Sequence, residues 1–410
     1  MKPLLAIVTA RAAFVLLFSW ASCGNAQNWT QTTASTNEHW RTVACSADGS
    51  RIVAASLEGI QVSTNSGGTW SLSGAPEGQS WSSVASSADG TRLASAVDGG
   101  AIYFSADGGV TWNPSDAPSA SWQGVACSAD GTRMVAVYGT QFSTGGIYIS
   151  TNAGAAWTTS NAPTNGFGWY AVASSADGTK LAAMMVDALT PSGPYGWIYT
   201  SSNAAATWIQ TARIRWPCSL ASSADGRTLV AATGAAGPLR GSIQTSTDSG
   251  ATWTAANLPT EAWSSVASSA DGTRLVAAIG GFFTGPITGP IYTSSDSGTN
   301  WTVGDSPTDD WASVASSADG CKQVAAINGG GIYTRQTMAT PSLIISLSGT
   351  NLDLSWTVPS MKFLLLQNVD LSTGYWTDVP VIPTLHYTTL EYRATIPAPA
   401  ETTIYRLVSQ

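Results

Sequence analysis

Trp263-Ser264-Ser265-Val266-Ala267-Ser268-Ser269-Ala270-Asp271-Gly272-Thr273-Arg274, then Leu275-Val276-Ala277-Ala278-Ile279 and, after a loop, Ile291-Tyr292-Thr293-Ser294-Ser295-Asp296-Ser297-Gly298-Thr299-Asn300-Trp301, is one copy of a phrase that the chain writes seven times. The copies open at Trp40, Trp81, Trp122, Trp169, Trp216, Trp263 and Trp311, 41 to 48 residues apart. In the quoted copy, Ser264 to Ser269 reads as a strand and Ala270-Asp271-Gly272-Thr273 as a tight turn, since Asp and Gly favour turn geometry. Arg274 to Ile279 reads as a second strand, Ile291 to Ser294 starts a third, Asp296-Ser297-Gly298 turns the chain, and Trp301-Thr302 begins a fourth. A period of this size with four short strands per unit predicts an all-β chain folded as a seven-bladed β-propeller.

The second turn obeys the pattern Ser-x-Asp-x-Gly-x-Thr-Trp at Ser63–Trp70, Ser105–Trp112, Ser150–Trp157, Ser201–Trp208, Ser246–Trp253 and Ser294–Trp301. Its third position is Asp107, Asp248 or Asp296 in three copies and Asn65, Asn152 or Asn203 in the others. Either side chain can accept N–H bonds across a turn, so the pattern reads as structural rather than as a calcium site. The seventh copy has no such turn. Asn28-Trp29-Thr30, standing before the first copy, resembles the tail of one and is expected to supply the outer strand of the last blade, removing an exposed edge. Copy five carries one extra residue between Trp216 and Asp225, followed by Pro217, which suggests a bulge.

Only 10% of the 410 residues are charged, against about 25% in an ordinary soluble chain. The net charge of −8 excludes a basic stripe for nucleic acid. Residues 1–26 read as a secretory signal, with Lys2 and Arg11 before the apolar Ala12 to Ala21 and small residues at Gly24-Asn25-Ala26. The apolar stretch is too short for a membrane span. Trp20-Ala21-Ser22-Cys23 resembles a lipoprotein signal, which would make the protein lipid-anchored rather than freely secreted. Cys45, Cys127, Cys218 and Cys321 would remain in the mature chain. They lack zinc-ligand spacing and form no disulfide framework, the nearest plausible bridge being Cys45 with Cys321. No phosphate loop or nucleophile motif stands out, and no cofactor is expected.

The repeat runs over residues 27–338. Residues 342–410 read as some six short strands, which suggests a small β-sandwich. Gly374-Tyr375-Trp376 and Ile404-Tyr405-Arg406-Leu407 resemble the C-terminal fibronectin-like modules of secreted bacterial proteins.

The repeated turns resemble those of the BNR or Asp-box superfamily, over residues 28–338. That superfamily contains sialidases and xyloglucanases beside sortilin-type receptors and a photosystem assembly factor. The resemblance implies a propeller whose Asp-box turns lie opposite the functional face. It implies no single reaction. The opposite face carries the variable segments Tyr138–Gly145, Asp187–Trp197, Gly234–Gly241 and Gly280–Pro290. Loops on a repeating scaffold carry function, which makes Tyr138, Phe142, Tyr195, Trp197, Arg213, Arg215, Arg240, Phe282 and Phe283 the candidate ligand-binding residues. Flat aromatics with few charges suit a glycan or a protein surface. Sialidase chemistry would need three converging arginines, and Arg213-Ile214-Arg215-Trp216-Pro217 imitates the family's Arg-Ile-Pro motif loosely. Other glycoside hydrolysis would need paired carboxylates about 5–10 Å apart, drawn from Glu38, Glu77, Asp187, Glu261, Asp309 and Asp310. His39 beside Glu38 is a candidate base. The expectation is a secreted, non-catalytic binding or scaffolding propeller, with an extracellular glycoside hydrolase as the alternative.

Overall fold

The computed structural model describes residues 6–8 and 28–409, apart from 141, 165–167, 191–192, 235–240, 282–285, 338–340, 371, 373 and 400–402. Among the described residues the secondary structure is β alone. In the sixth copy Trp263–Ser268, Leu275–Ile279, Ile291–Ser294 and Thr302–Val303 form one antiparallel set in that order. The other copies repeat it, giving seven four-stranded sets among the described residues. The sets are arranged as the blades of a propeller. Their inner strands neighbour one another in a closed circuit.

What joins the blades is written in the first turn. The N–H of each turn alanine donates to the carbonyl of the next blade's alanine at 2.7–2.8 Å. The circuit runs Ala47, Ala88, Ala129, Ala176, Ala224, Ala270, Ala318 and back to Ala47. The glycine two residues on lies at positive φ, 65–70° in all seven turns. A Cβ at Gly131 would stand 2.7 Å from the stem of Arg92, whose guanidinium donates to the Asp130 carbonyl. Arg274 clips the Asp319 carbonyl and Lys180 the Asp225 carbonyl in the same way. These three repeat cations are thus staples from one blade to the next turn, their apolar stems packed under a glycine.

Between blades the core is made of the opening tryptophans. Trp40, Trp81, Trp122, Trp169, Trp263 and Trp311 are fully buried. Every inner strand shifts register just after this position. A serine hydroxyl from the preceding blade then takes a backbone N–H, as Ser83 does from Val125 and Ser265 from Val314. Blade five departs differently from the expected bulge. Pro217 pairs with Thr233, where the other blades place their tryptophan, and Trp216 is displaced at φ 51° to a half-buried position.

The second turn is a closed hydrogen-bond unit. Ser105 donates to Asp107, the Ser105 hydroxyl accepts from Gly109 N–H, and Asp107 accepts the Thr111 N–H at 2.9 Å and its hydroxyl at 2.7 Å. In two Asn copies the side-chain amide donates instead, Asn65 to Thr69 and Asn203 to Thr207 at 2.9 Å, while Asn152 faces Ala156 and accepts its N–H. A threonine hydroxyl can donate or accept, so Asp and Asn exchange freely here. The Thr111 N–H and hydroxyl hold Asp107 at a pKa of about 2, and the Thr252 hydroxyl and N–H do the same for Asp248. A folded-state pKa below the ordinary value of about 3.9 gives stability that is present above pH ~4 and is lost as pH falls towards 2. The double variant Asp107→Asn, Asp248→Asn should therefore lose less thermal stability than the parent between pH 4 and pH 2. Equal losses in melts at the two pH values would contradict this.

The N-terminal segment closes the ring. Thr30 and Gln31 pair with Thr334 and Tyr333, and the Thr32 N–H donates to Ile332 at 2.8 Å. Trp29 is buried, 6.1 Å from the ring of Trp311.

Beyond the repeats, Ile344–Ser348, Asn351–Thr357, Glu391–Pro397 and Thr384–His386 make one sheet. Phe363–Asn368, Thr403–Ser409 and Thr377–Asp378 make another, with Ala6–Val8 added antiparallel at its edge. The two sheets share a core that includes Leu354, Trp356, Leu365, Tyr405 and Leu407. This unit sits on the propeller. Val358 is buried among the ring alanines, with Leu385, Leu390 and Tyr392 beside it. Asp319 of the seventh first-turn accepts the Ser360 N–H at 2.7 Å and its hydroxyl at 2.8 Å.

Candidate functional site

The face opposite these turns is formed by loops between second and third strands and by links between blades. Among the described residues blade four carries the longest paired strands there. Its second and third strands are Leu181–Thr190 and Gly193–Ser201, and its outer strand, Ile209–Arg215, has 7 residues where the other outer strands have 2. In this projection Tyr195 pairs with Arg215, Gly196 with Ile214 and Trp197 with Arg213. Strand alternation puts Tyr195, Trp197, Arg213 and Arg215 on one face and Gly196 with Ile214 on the other. Gly196 is required by close approach, since a Cβ there would meet the Met185 carbonyl at 1.8 Å.

Charge and aromatic surface are interleaved on that face. The Arg215 guanidinium lies 4.7 Å from the centre of the Tyr195 ring and donates to its hydroxyl. The Arg213 guanidinium lies 5.1 Å from Tyr195 and 5.7 Å from Trp197. A register shift at Asp187 turns its carboxylate to the Trp197 indole N–H, at 2.5 Å. Trp197 is half-buried against the core between blades three and four. On the other face of this hairpin, where Ile214 packs into the core between blades four and five, a cleft of about 450 Å³ separates it from blade five, with Ser242, Gln244 and Thr260 across it.

The remaining candidates divide. Phe142 is 75% exposed at the blade-three hairpin. Tyr138 belongs to its own blade: its ring packs against Trp122 at 5.4 Å and Tyr148 at 5.9 Å. Arg240, Phe282 and Phe283 lie outside the described residues. Of the carboxylates considered for hydrolysis, Glu38, Asp187 and Asp310 are engaged by hydrogen bonds and Glu77 is exposed. Glu58, missed in the sequence, binds His39 at 3.0 Å, and although burial opposes it, the hydrogen bonds from His39 hold its pKa at about 2. Glu38 accepts the Ser56 hydroxyl. Asp310, 5% exposed, accepts the Gly281 N–H and the Asn328 amide and so pins the blade-six loop. Arg335, on the third strand of blade seven, pairs at 3.8 Å with Asp305, which follows the outer strand of blade six.

The second candidate space is the central channel at its alanine end, about 150 Å³ lined by Cys45, Cys127 and serines such as Ser86 and Ser174. Cys45, Cys127, Cys218 and Cys321 form no disulfide with one another, so the bridge considered between Cys45 and Cys321 is not made. Burial pushes the Cys45, Cys127 and Cys218 thiols up to about 12, so they stay protonated at neutral pH. Native protein at pH 8 should resist alkylation at these three positions, and unfolded protein should not. Rapid native labelling seen by mass spectrometry would contradict this. No group of three metal-ligating side chains occurs among the described residues. No helix among them is long and apolar enough to cross a membrane.

No family model and no curated protein matches this chain. Solved structures do share its fold. Hydrazine synthase of Kuenenia stuttgartiensis superposes with a TM-score of 0.58 at 13% identity, covering 77% of this chain and 99% of that one. YCF48 bound to D1 peptide gives 0.54 at 15% identity, covering 77% and 99%. YCF48 from Cyanidioschyzon merolae gives 0.55 at 15% identity, covering 75% and 98%. At such identities the likeness is one of fold.

Proposed function

We propose that this chain is a secreted, non-catalytic binding or scaffolding propeller of the Asp-box type that presents its loop face to a protein segment. One observation carries the reading: the C-terminal unit is seated on the ring alanines, so the centre of the repeated-turn face is covered and the loop face is left for a ligand. The blade-four ladder there offers aromatic and cationic groups together. A propeller of similar fold has been solved with a peptide bound, which supports a protein partner. The engaged state of Glu38, Glu58, Asp187 and Asp310 favours binding over hydrolysis.

A glycan ligand is the second reading, favoured by the exposed ring of Phe142 and the half-exposed rings of Tyr195 and Trp197. The test is a peptide array and a glycan array probed with protein beginning at residue 27, with sugar release measured in parallel. Peptide retention that falls at least tenfold in Phe142→Ala or Tyr195→Ala, with the melting temperature kept, is the expected result. Sugar release by the parent would overturn the non-catalytic reading. Retention unchanged in both variants would overturn the loop face.

A further inference from the structure

We infer that Arg213 and Arg215 form a carboxylate-recognising site for an acidic peptide segment, an inference that rests on the loop-face reading above. The chain carries only 17 basic residues against 25 acidic ones, so two arginines side by side are unusual for it. They stand two residues apart on one strand, which sets their Cα atoms roughly 7 Å apart on the same face. Arginine stays protonated at all physiological pH values, so this is a fixed double positive charge. Among the described residues no carboxylate lies within 4 Å of either guanidinium. Asp187, on the neighbouring strand, has its carboxylate directed to Trp197 instead.

The two cations are held by aromatic rings rather than by counter-ions. Arg213 lies over Tyr195 and Trp197, and Arg215 over Tyr195. Stacking on a ring restrains the plane of a guanidinium and leaves N–H groups for a ligand; Arg215 already gives one of its own to the Tyr195 hydroxyl, so the open fork is that of Arg213. A planar fork of this kind matches a carboxylate with two parallel hydrogen bonds. Among the described residues the outer strand Ile209–Arg215 pairs on one side alone, so its other edge suits an extended segment.

The test uses the full chain and two labelled peptides, hexaglutamate and hexaglutamine, with oligogalacturonate and inorganic phosphate as competitors. Hexaglutamate should bind at least tenfold more tightly than hexaglutamine at 50 mM salt and weaken at 500 mM salt. Arg213→Gln, Arg215→Gln should abolish that preference, and Arg213→Gln alone, on an exposed side chain, should reduce it with the fold intact. Equal binding of both peptides, sensitive to Tyr195→Ala, would overturn the carboxylate site while leaving the loop face standing. Hexaglutamate binding untouched by the double variant would overturn both. Arginine-dependent binding of oligogalacturonate without hexaglutamate would overturn the peptide and assign the site to an acidic glycan. Displacement of hexaglutamate by phosphate as readily as by oligogalacturonate would overturn carboxylate selectivity.

Discussion

Deletion of residues 28–36 should abolish cooperative folding of the propeller at 37 °C. This segment closes the ring from outside: Thr30 and Gln31 supply the outer strand of the seventh blade, and Trp29 packs on Trp311 in its core. It also reaches the first blade, where Ala34 is buried beside Trp40 and the Ser35 carbonyl accepts the Trp40 indole N–H. Its loss would uncover an apolar strand edge on Ile332–Gln336, open to pairing with other chains. The expected result is an aggregated product, or hydrogen exchange in blade seven approaching that of unfolded chain. A deletion variant melting cooperatively within a few degrees of the parent would show that the closure is dispensable.

Replacing Trp263 by alanine should destabilise by about 3–5 kcal/mol, the usual cost of removing a large buried aromatic. Its indole is fully buried between blades five and six and meets Tyr292 edge-on at 5.3 Å. Against a typical total of about 5–15 kcal/mol this is a large share. Trp253→Ala should cost less. That indole is half-buried and is anchored by a hydrogen bond to the Gly250 carbonyl at 3.0 Å. Urea unfolding of both variants checks the order, and a larger loss for Trp253→Ala would refute it.

The repeat made the fold legible because each unit names its own turns. Asp and Gly at fixed spacing placed the strand ends in the sixth copy within a residue or so of Trp263–Ser268 and Leu275–Ile279. The partner of Ile332–Gln336 was legible for the same reason, since Trp29-Thr30 carries half of a motif. What lay between copies was hidden. Nothing in Ser-Ala-Asp-Gly says that the alanine N–H leaves its own blade, because the link joins residues some forty positions apart. The arginine staples were hidden likewise, as the stem packs under a glycine of the following unit.

The candidate site was legible in composition and not in arrangement. The irregular stretch 187–217 broke the repeat and drew attention to Tyr195, Trp197, Arg213 and Arg215. Their single-face ladder depends on the Tyr195–Arg215 register, set by the outward extension of the fourth strand. The ring of Tyr138 answers to Trp122 and Tyr148, neighbours that its loop position concealed.

The seating of Val358 and Leu390 among the ring alanines makes the propeller's axial bore a blind well. This end, about 150 Å³, has room for several waters. Its wall of serine hydroxyls and protonated thiols bears no net charge. Val358 and Leu390 obstruct passage at this end, so waters in the bore exchange more readily through the opposite mouth, past whatever sits on the loops.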